Sequence, residues 1–252
     1  MPISPNSDLL EACGISKSFG ENKILENVDF TLKKGELVCL LGVSGAGKTT
    51  LFNILSGLMM PDCGQVLLNG ESITGRPGKI SYMLQKDLLL PYRTVVDNIA
   101  LPLIIRGMPK KQAREKAASY FQKFGLQGTE KKYPKQLSGG MRQRAALLRT
   151  YLASDGVALL DEPFSALDTI TKSAMHEWYL DIMREIDLTT LFITHDTDEA
   201  VKLSDRICIL SGKPGKIICE IPVCEPRPRP HDFNLSAEFL NYKRQIAESL
   251  IL

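Results

Sequence analysis

Eight residues, Gly42-Val43-Ser44-Gly45-Ala46-Gly47-Lys48-Thr49, constrain the fold of this chain more than any other segment. They fit the pattern G-x-x-x-x-G-K-[ST]. An apolar run over 36–41 precedes them and a helical pattern over 50–58 follows, the strand–loop–helix setting that the pattern requires. Glycine removes the Cβ that would keep backbone N–H groups from converging on phosphate oxygens. The start of a helix adds positive potential at the same place. Lys48 is placed to reach the β and γ phosphates of a nucleotide, and the Thr49 hydroxyl to ligate Mg2+. With Thr50, the nucleotide-binding set is Gly42, Val43, Ser44, Gly45, Ala46, Gly47, Lys48, Thr49 and Thr50.

A second apolar run, 157–160, leads into Asp161 and Glu162. Alternation along a strand sends these two carboxylates to opposite sides. One can hold Mg2+ through a water while the other meets an attacking water. Asp161 is assigned to the metal and Glu162 to the general base.

Further apolar runs at 191–194 and 206–210 alternate with helical patterns, which implies a parallel sheet covered on both faces. Residues 108–124 set Ala117, Tyr120, Phe121 and Phe124 at helical spacing and predict one amphipathic helix. No strand pattern shows between about 95 and 150, so a helical subdomain is expected as an insertion into the α/β core. Residues 222–230 are rich in Pro and Arg and cannot form a helix interior. They separate the core from a short helical tail over 236–250. The expected layout is a nucleotide-binding core (1–87 and 154–222), a helical subdomain (88–153) and a C-terminal tail (223–252).

Bulk properties narrow the partners. A net charge of +2 over 252 residues makes no electrostatic case for nucleic acid or an anionic membrane. The six cysteines form no CxxC pair and read as reduced thiols of a cytosolic protein. No apolar run approaches the roughly 18 residues that a bilayer demands. The first residues, Met-Pro-Ile-Ser-Pro-Asn-Ser-Asp, lack the basic start of a secretory signal. Contact with a membrane is therefore expected through a partner.

Leu137-Ser138-Gly139-Gly140-Met141-Arg142-Gln143-Arg144 is a Ser-Gly-Gly turn opening a helical pattern over 141–153. It offers a hydroxyl and unhindered amides at a helix start, a second anion site. It resembles the LSGGQ signature of ABC transporter ATPases, with Met141 where Gln is commonest. The resemblance extends from residue 11 to about 245. It implies an α/β P-loop NTPase (RecA-like) core with an N-terminal antiparallel β portion and an inserted ABC-type helical subdomain. It also implies ATP and Mg2+ as cofactors and ATP hydrolysis as the activity. Phe19 resembles the aromatic that stacks on adenine, where Tyr is usual. Gln85 resembles the loop glutamine that senses the γ-phosphate and joins Thr49 and Asp161 around Mg2+. Ser165, Ala166, Leu167 and Asp168 resemble the loop that crosses the dimer interface. His195 resembles the switch histidine on the γ-phosphate, completing a catalytic set of Glu162, His195, Gln85 and Lys48. His176 and His231 match no motif position and read as surface residues. In this family the signature of one subunit closes over ATP held by the other. The resemblance thus implies a homodimer in which Leu137, Ser138, Gly139, Gly140 and Met141 act in trans.

Three segments resemble the nitrate/sulfonate/taurine importer branch. They are Tyr82 to Tyr92, where Leu-Pro-Tyr stands for Leu-Pro-Trp, Ser211 to Ile217, and Arg227-Pro228-Arg229-Pro230. Importers of thiamine-pyrimidine precursors share these features. That branch implies integral membrane permease subunits, an extracytoplasmic solute-binding protein acting indirectly, and a peripheral place on the cytoplasmic face of the cell membrane. Leu88, Leu89, Leu90, Tyr92 and Val95 are more apolar than a solvated loop needs. The resemblance places a permease helix against them. The alternative is a soluble non-transport ABC ATPase. A single motif set and the short interval between Gln85 and the signature argue against it.

Overall fold

The computed structural model describes residues 8–227, 229–230 and 232–251. Residues 1–7, Pro228 and His231, on which three of the readings above fall, lie outside the described residues. Strands β1 (Asp8–Phe19) and β2 (Asn22–Lys33) pair antiparallel across a tight turn. After β3 (Leu37–Leu41) and α1 (Lys48–Leu55), β4 (Cys63–Leu68) and the short β5 (Glu71–Ser72) complete a four-stranded sheet ordered β2-β1-β4-β5. This is the N-terminal antiparallel portion. The strand β6 (Ser81–Met83) is followed by α2 (Val95–Ile105), α3 (Lys110–Ala118) and α4 (Gly139–Ala153), with no strand between them. Strands and helices then alternate through β7 (Val157–Asp161), α5 (Thr169–Glu185), β8 (Thr189–Thr194), α6 (Thr197–Leu203) and β9 (Arg206–Ser211). The chain ends in β10 (Lys216–Pro222) and α7 (Ala237–Ile251). The second sheet runs β10-β9-β3-β8-β7-β6, parallel except for β10 at one edge.

The pleat of this sheet divides the interior. On β3, Leu37, Cys39 and Leu41 face one apolar cluster, while Val38 and Leu40 face another. On β7, Ala158 and Leu160 face the first and Val157 and Leu159 the second. The first cluster takes in the helical insert and α5 to α7; the second takes in α1 and the antiparallel sheet. Every residue of β3 and β8 is buried, which is why β3 and the 191–193 stretch of β8 read as continuous apolar runs rather than alternating ones.

Two expectations need correction. The helix predicted over 108–124 ends at Ala118. Beyond it Tyr120 N and Phe121 N reach back only three residues, to Ala117 O and Ala118 O. This tighter winding turns Tyr120 and Phe124 onto Tyr151, with ring centroids 5.4 and 6.1 Å away. The tail is not held apart from the core either. Arg227 makes two 2.7 Å bonds to the Asp205 carboxylate. Arg229 is buried and donates to the carbonyls of Val201, Lys202, Ser204 and Glu225. Phe239, Tyr242 and Ile246 of α7 are buried in the first cluster.

Candidate active site

The phosphate loop leaves β3 at the carboxyl end of the parallel sheet, where ligands of open α/β sheets gather. Two of its glycines have no substitute. A Cβ on Gly42 would strike the Leu210 carbonyl, and Gly47, at φ +98°, would meet Leu25 Cδ2 at 2.8 Å. The loop is therefore packed closely against Leu210 of β9 and Leu25 of β2. Lys48 Nζ donates to Gly42 O at 2.7 Å and Val43 O at 2.9 Å, so its ammonium sits inside the loop. Burial pushes the Lys48 pKa down, and the nearby Glu162 and Asp161 carboxylates partly restore it. Thr49 and Thr50 follow on the first turn of α1. A glycine loop at the start of a helix, with the Lys48 ammonium at its centre, fits a polyphosphate. The hydroxyl of Thr49, the amide of Gln85 and the Asp161 carboxylate are hard oxygen donors of the kind Mg2+ prefers.

Asp161 is the last residue of β7, and its Oδ2 accepts from Tyr82 Oη at 3.3 Å. Burial raises its pKa and Glu162 adds to the rise, while Tyr82 and Lys48 oppose it. Strand alternation does not account for Glu162. That residue has left the pleat and stands at φ +47°, a left-handed conformation rare outside glycine. This turn carries its carboxylate toward two other loops. Oε2 accepts from Gln85 Nε2 at 2.9 Å, and Oε1 lies 3.0 Å from His195 Nδ1. Gln85, Glu162 and His195, which are far apart in the sequence, thus meet in one cleft of about 820 Å³, with Ser165, Ala166 and Leu167 also on its wall. Ser165 Oγ donates to Glu162 O at 3.0 Å. Asp168 caps α5, with Oδ1 accepting from Thr171 N at 3.1 Å.

Phe19 ends β1 with 49% of its surface exposed, so it is not a core residue. Ser138 caps α4, its Oγ accepting from Met141 N at 3.3 Å. Leu137 is buried, and Gly139 and Gly140 pack beside Leu167 and Thr171. Among the described residues, no hydrogen bond joins 137–141 to 42–50.

Sequence reasoning missed several contacts. Arg142 joins two motifs, donating to Leu137 O at 3.0 Å and to Asp87 Oδ2 at 3.2 Å. Arg149 donates to Leu88 O at 2.9 Å, holding a residue whose φ is +45°. An Arg repeated along one helix is the only signal for this, and it is a weak one. Leu89 and Val95, expected on an apolar surface, are buried, whereas Leu88, Leu90 and Tyr92 are exposed. His176, read as a surface residue, is buried edge-on to Phe164 at 4.7 Å. Its place in the middle of α5 put it on the inner face of that helix.

Residues 25–165 match the family model described as ABC transporter. A formylaminopyrimidine import ATP-binding protein, ThiZ, of Halalkalibacterium halodurans is 46% identical over 200 residues, 79% of this chain and 78% of the relative. An aliphatic sulfonates import ATP-binding protein, SsuB, of Bacillus cereus is 43% identical across 85% of this chain and 84% of its own. A nitrate import ATP-binding protein, NrtD, of Synechocystis is 36% identical across 90% and 87%. Among solved structures, the dimeric bacterial ABC transporter cassette MJ0796 superposes with a TM-score of 0.72 at 29% identity, covering 86% of this chain and 100% of that one. The same cassette in a post-hydrolysis state, bound to ADP and Pi, gives 0.71 at 30% identity over the same shares. Alike in sequence to such proteins over most of its length, and sharing the fold of a solved cassette, the chain belongs to the ABC transporter family and is one of its ATP-hydrolysing cassettes.

Proposed function

We propose that this chain is the ATP-hydrolysing subunit of an ABC importer, working as a homodimer that drives a separate membrane permease. One observation carries the reading: the Glu162 carboxylate is held between Gln85 and His195 beside the phosphate loop. The amides of 42–50 bind the phosphates, and Lys48 Nζ turns from its loop carbonyls onto the β and γ oxygens. Thr49 and Gln85 would hold Mg2+, with Asp161 holding it through water, and the ion would supply neutralisation of phosphate charge. Glu162 takes a proton from the attacking water at one carboxylate oxygen, while Gln85 and His195 keep that group aimed. The signature residues 137–141 sit on the helical insert and, among the described residues, make no hydrogen bond to 42–50, while Gly139 lines the cleft that holds Glu162. The likeness to a dimeric cassette supports action in trans, with 165–168 at the interface.

The relatives named for import of formylaminopyrimidine, aliphatic sulfonates and nitrate support uptake as the direction. The cargo is then a nitrate-, sulfonate- or taurine-like anion or a thiamine-pyrimidine precursor, delivered by an extracytoplasmic solute-binding protein. No helix among the described residues is long and apolar enough to cross a membrane. The chain reaches the cytoplasmic face through the permease, and nucleic acid has no part in the cycle.

Leu88, at 51% exposure, and Tyr92, at 93%, supply the docking surface next to Gln85. Changing both to Asp is expected to abolish copurification of the permease from membranes and to stop uptake. Hydrolysis by the isolated subunit should continue, since Asp tolerates the left-handed backbone of position 88. Retention of the permease by the double variant would place the docking surface elsewhere.

Phe19 is expected to stack on adenine. Phe19→Ala should weaken ATP binding by roughly 1–3 kcal/mol, a loss typical of one stacked base. An unchanged affinity in a binding titration would remove Phe19 from the adenine site.

A further inference from the structure

Glu199 of α6 is only 2% exposed. A buried carboxylate is costly to keep unless its partners are well placed. Its Oε2 accepts from the Thr194 hydroxyl at 2.6 Å. That hydroxyl in turn accepts from Asp196 N at 3.1 Å. Lys172 Nζ lies 3.0 Å from Oε1 as an ion pair, and His176 Nε2 lies 3.4 Å from it, neither as an aligned hydrogen bond. Lys172 also reaches Asp196 Oδ2 at 3.4 Å. Asp196 Oδ1 accepts from Asp198 N and Glu199 N, which ties the turn to the start of α6. Both neighbours of His195 are thus fixed by bonds that end on Glu199 or Lys172. Burial alone would raise the Glu199 pKa, but His176, Thr194 and Lys172 hold it below the ordinary carboxylate range.

We propose that Glu199, acting through Thr194 and Asp196, is a positioning residue that sets where His195 meets Glu162. Its hydrogen bonds run to the turn that carries His195, not to the cleft. Lys172 extends the link to α5, one turn beyond the cap at Asp168. Movement of 165–168 at a dimer interface would therefore reach His195 from below. The inference rests on the role proposed above for His195.

Glu199→Gln keeps the shape and leaves an oxygen for the Thr194 hydroxyl, but removes the charge that Lys172 and His176 face. The expected result is a kcat lower by roughly 10- to 100-fold, the scale of a catalytic group displaced by about 1 Å. KM for ATP should change by less than about twofold. In a His195→Ala background the same substitution should cost no further rate, because both changes remove one unit. The His195 ring signals in NMR, identified by their loss in His195→Ala, should shift on Glu162→Gln in the otherwise native chain. They should not shift when Glu199→Gln is also present. If Glu199→Gln does not fold, Thr194→Val and Thr194→Ser make the same comparison: the first loses the bridging hydroxyl and should be slow, the second keeps it and should be fast. A normal kcat in Glu199→Gln, or losses that multiply in the double variant, would overturn the inference. A normal rate in His195→Ala would instead overturn the role of His195 itself, so the two failures are distinguishable.

Discussion

Glu162→Gln is expected to bind MgATP and to hydrolyse it slower by on the order of 10²–10⁴, the contribution of a positioned general base. The substitution changes little else. A glutamine carbonyl at this place can still accept from Gln85 Nε2, and its amide can still face His195 Nδ1, the two partners held at 2.9 and 3.0 Å by the carboxylate. The left-handed backbone at φ +47° is also no harder for Gln than for Glu. ATP should then persist in the site, and the ATP-bound dimer should accumulate. Phosphate release and size-exclusion chromatography with ATP read the two effects separately. Turnover near that of the native chain would leave Glu162 without the role of base.

Lys48→Ala should have the next largest effect. It removes the ammonium at the centre of the loop, and each charge-assisted hydrogen bond to phosphate is worth roughly 1.5–3 kcal/mol. MgATP affinity should fall at least about tenfold per lost bond, and hydrolysis should nearly vanish. Ser138→Arg should be as inactive for a different reason. It deletes the oxygen that accepts from Met141 N and sets a bulky cation at the start of α4. If the signature works on the partner's ATP, mixing the two inactive proteins makes dimers with one intact composite site. Partial activity should return once exchange of differently tagged subunits has been demonstrated. A Ser138→Arg protein that hydrolyses ATP at the normal rate alone would contradict the shared site.

Contiguous motifs were legible and tertiary aim was not. The loop at 42–49 announced itself because one short segment supplies strand end, glycines, lysine and helix start together. The signature was legible for the same reason: Ser138 caps its own helix. The apolar run 157–160 marks β7, but Glu162 stands just past its end, and the device that aims it is a single left-handed residue, which no period-2 pattern encodes. Side-chain periodicity likewise could not tell that winding tightens after Ala118, because Tyr120 and Phe124 keep a helical spacing while their rings are drawn onto Tyr151. Leu88 and Leu89 are adjacent and equally apolar, yet one is exposed and the other buried. Arg149, from a distant helix, holds the kink that separates them. His176, on the inner face of α5, lies 3.4 Å from Glu199, in a helix that the sequence did not mark.

The guanidinium of Arg229, set against the last carbonyls of α6, also bears on how the molecule breathes. A helix of seven residues has little cohesion of its own, since nucleation is hardly repaid over two turns. Asp196 secures its first turn and Arg229 its last. Native-state fluctuations tend to release contiguous cooperative units rather than single residues. Here such a unit is expected to join Arg229, α6 and the turn bearing His195. Amide protons of α6 should therefore exchange with deuterium in step with those of the tail, and cutting the chain before Arg229 should raise the exchange rate beside the cleft as well as at the terminus.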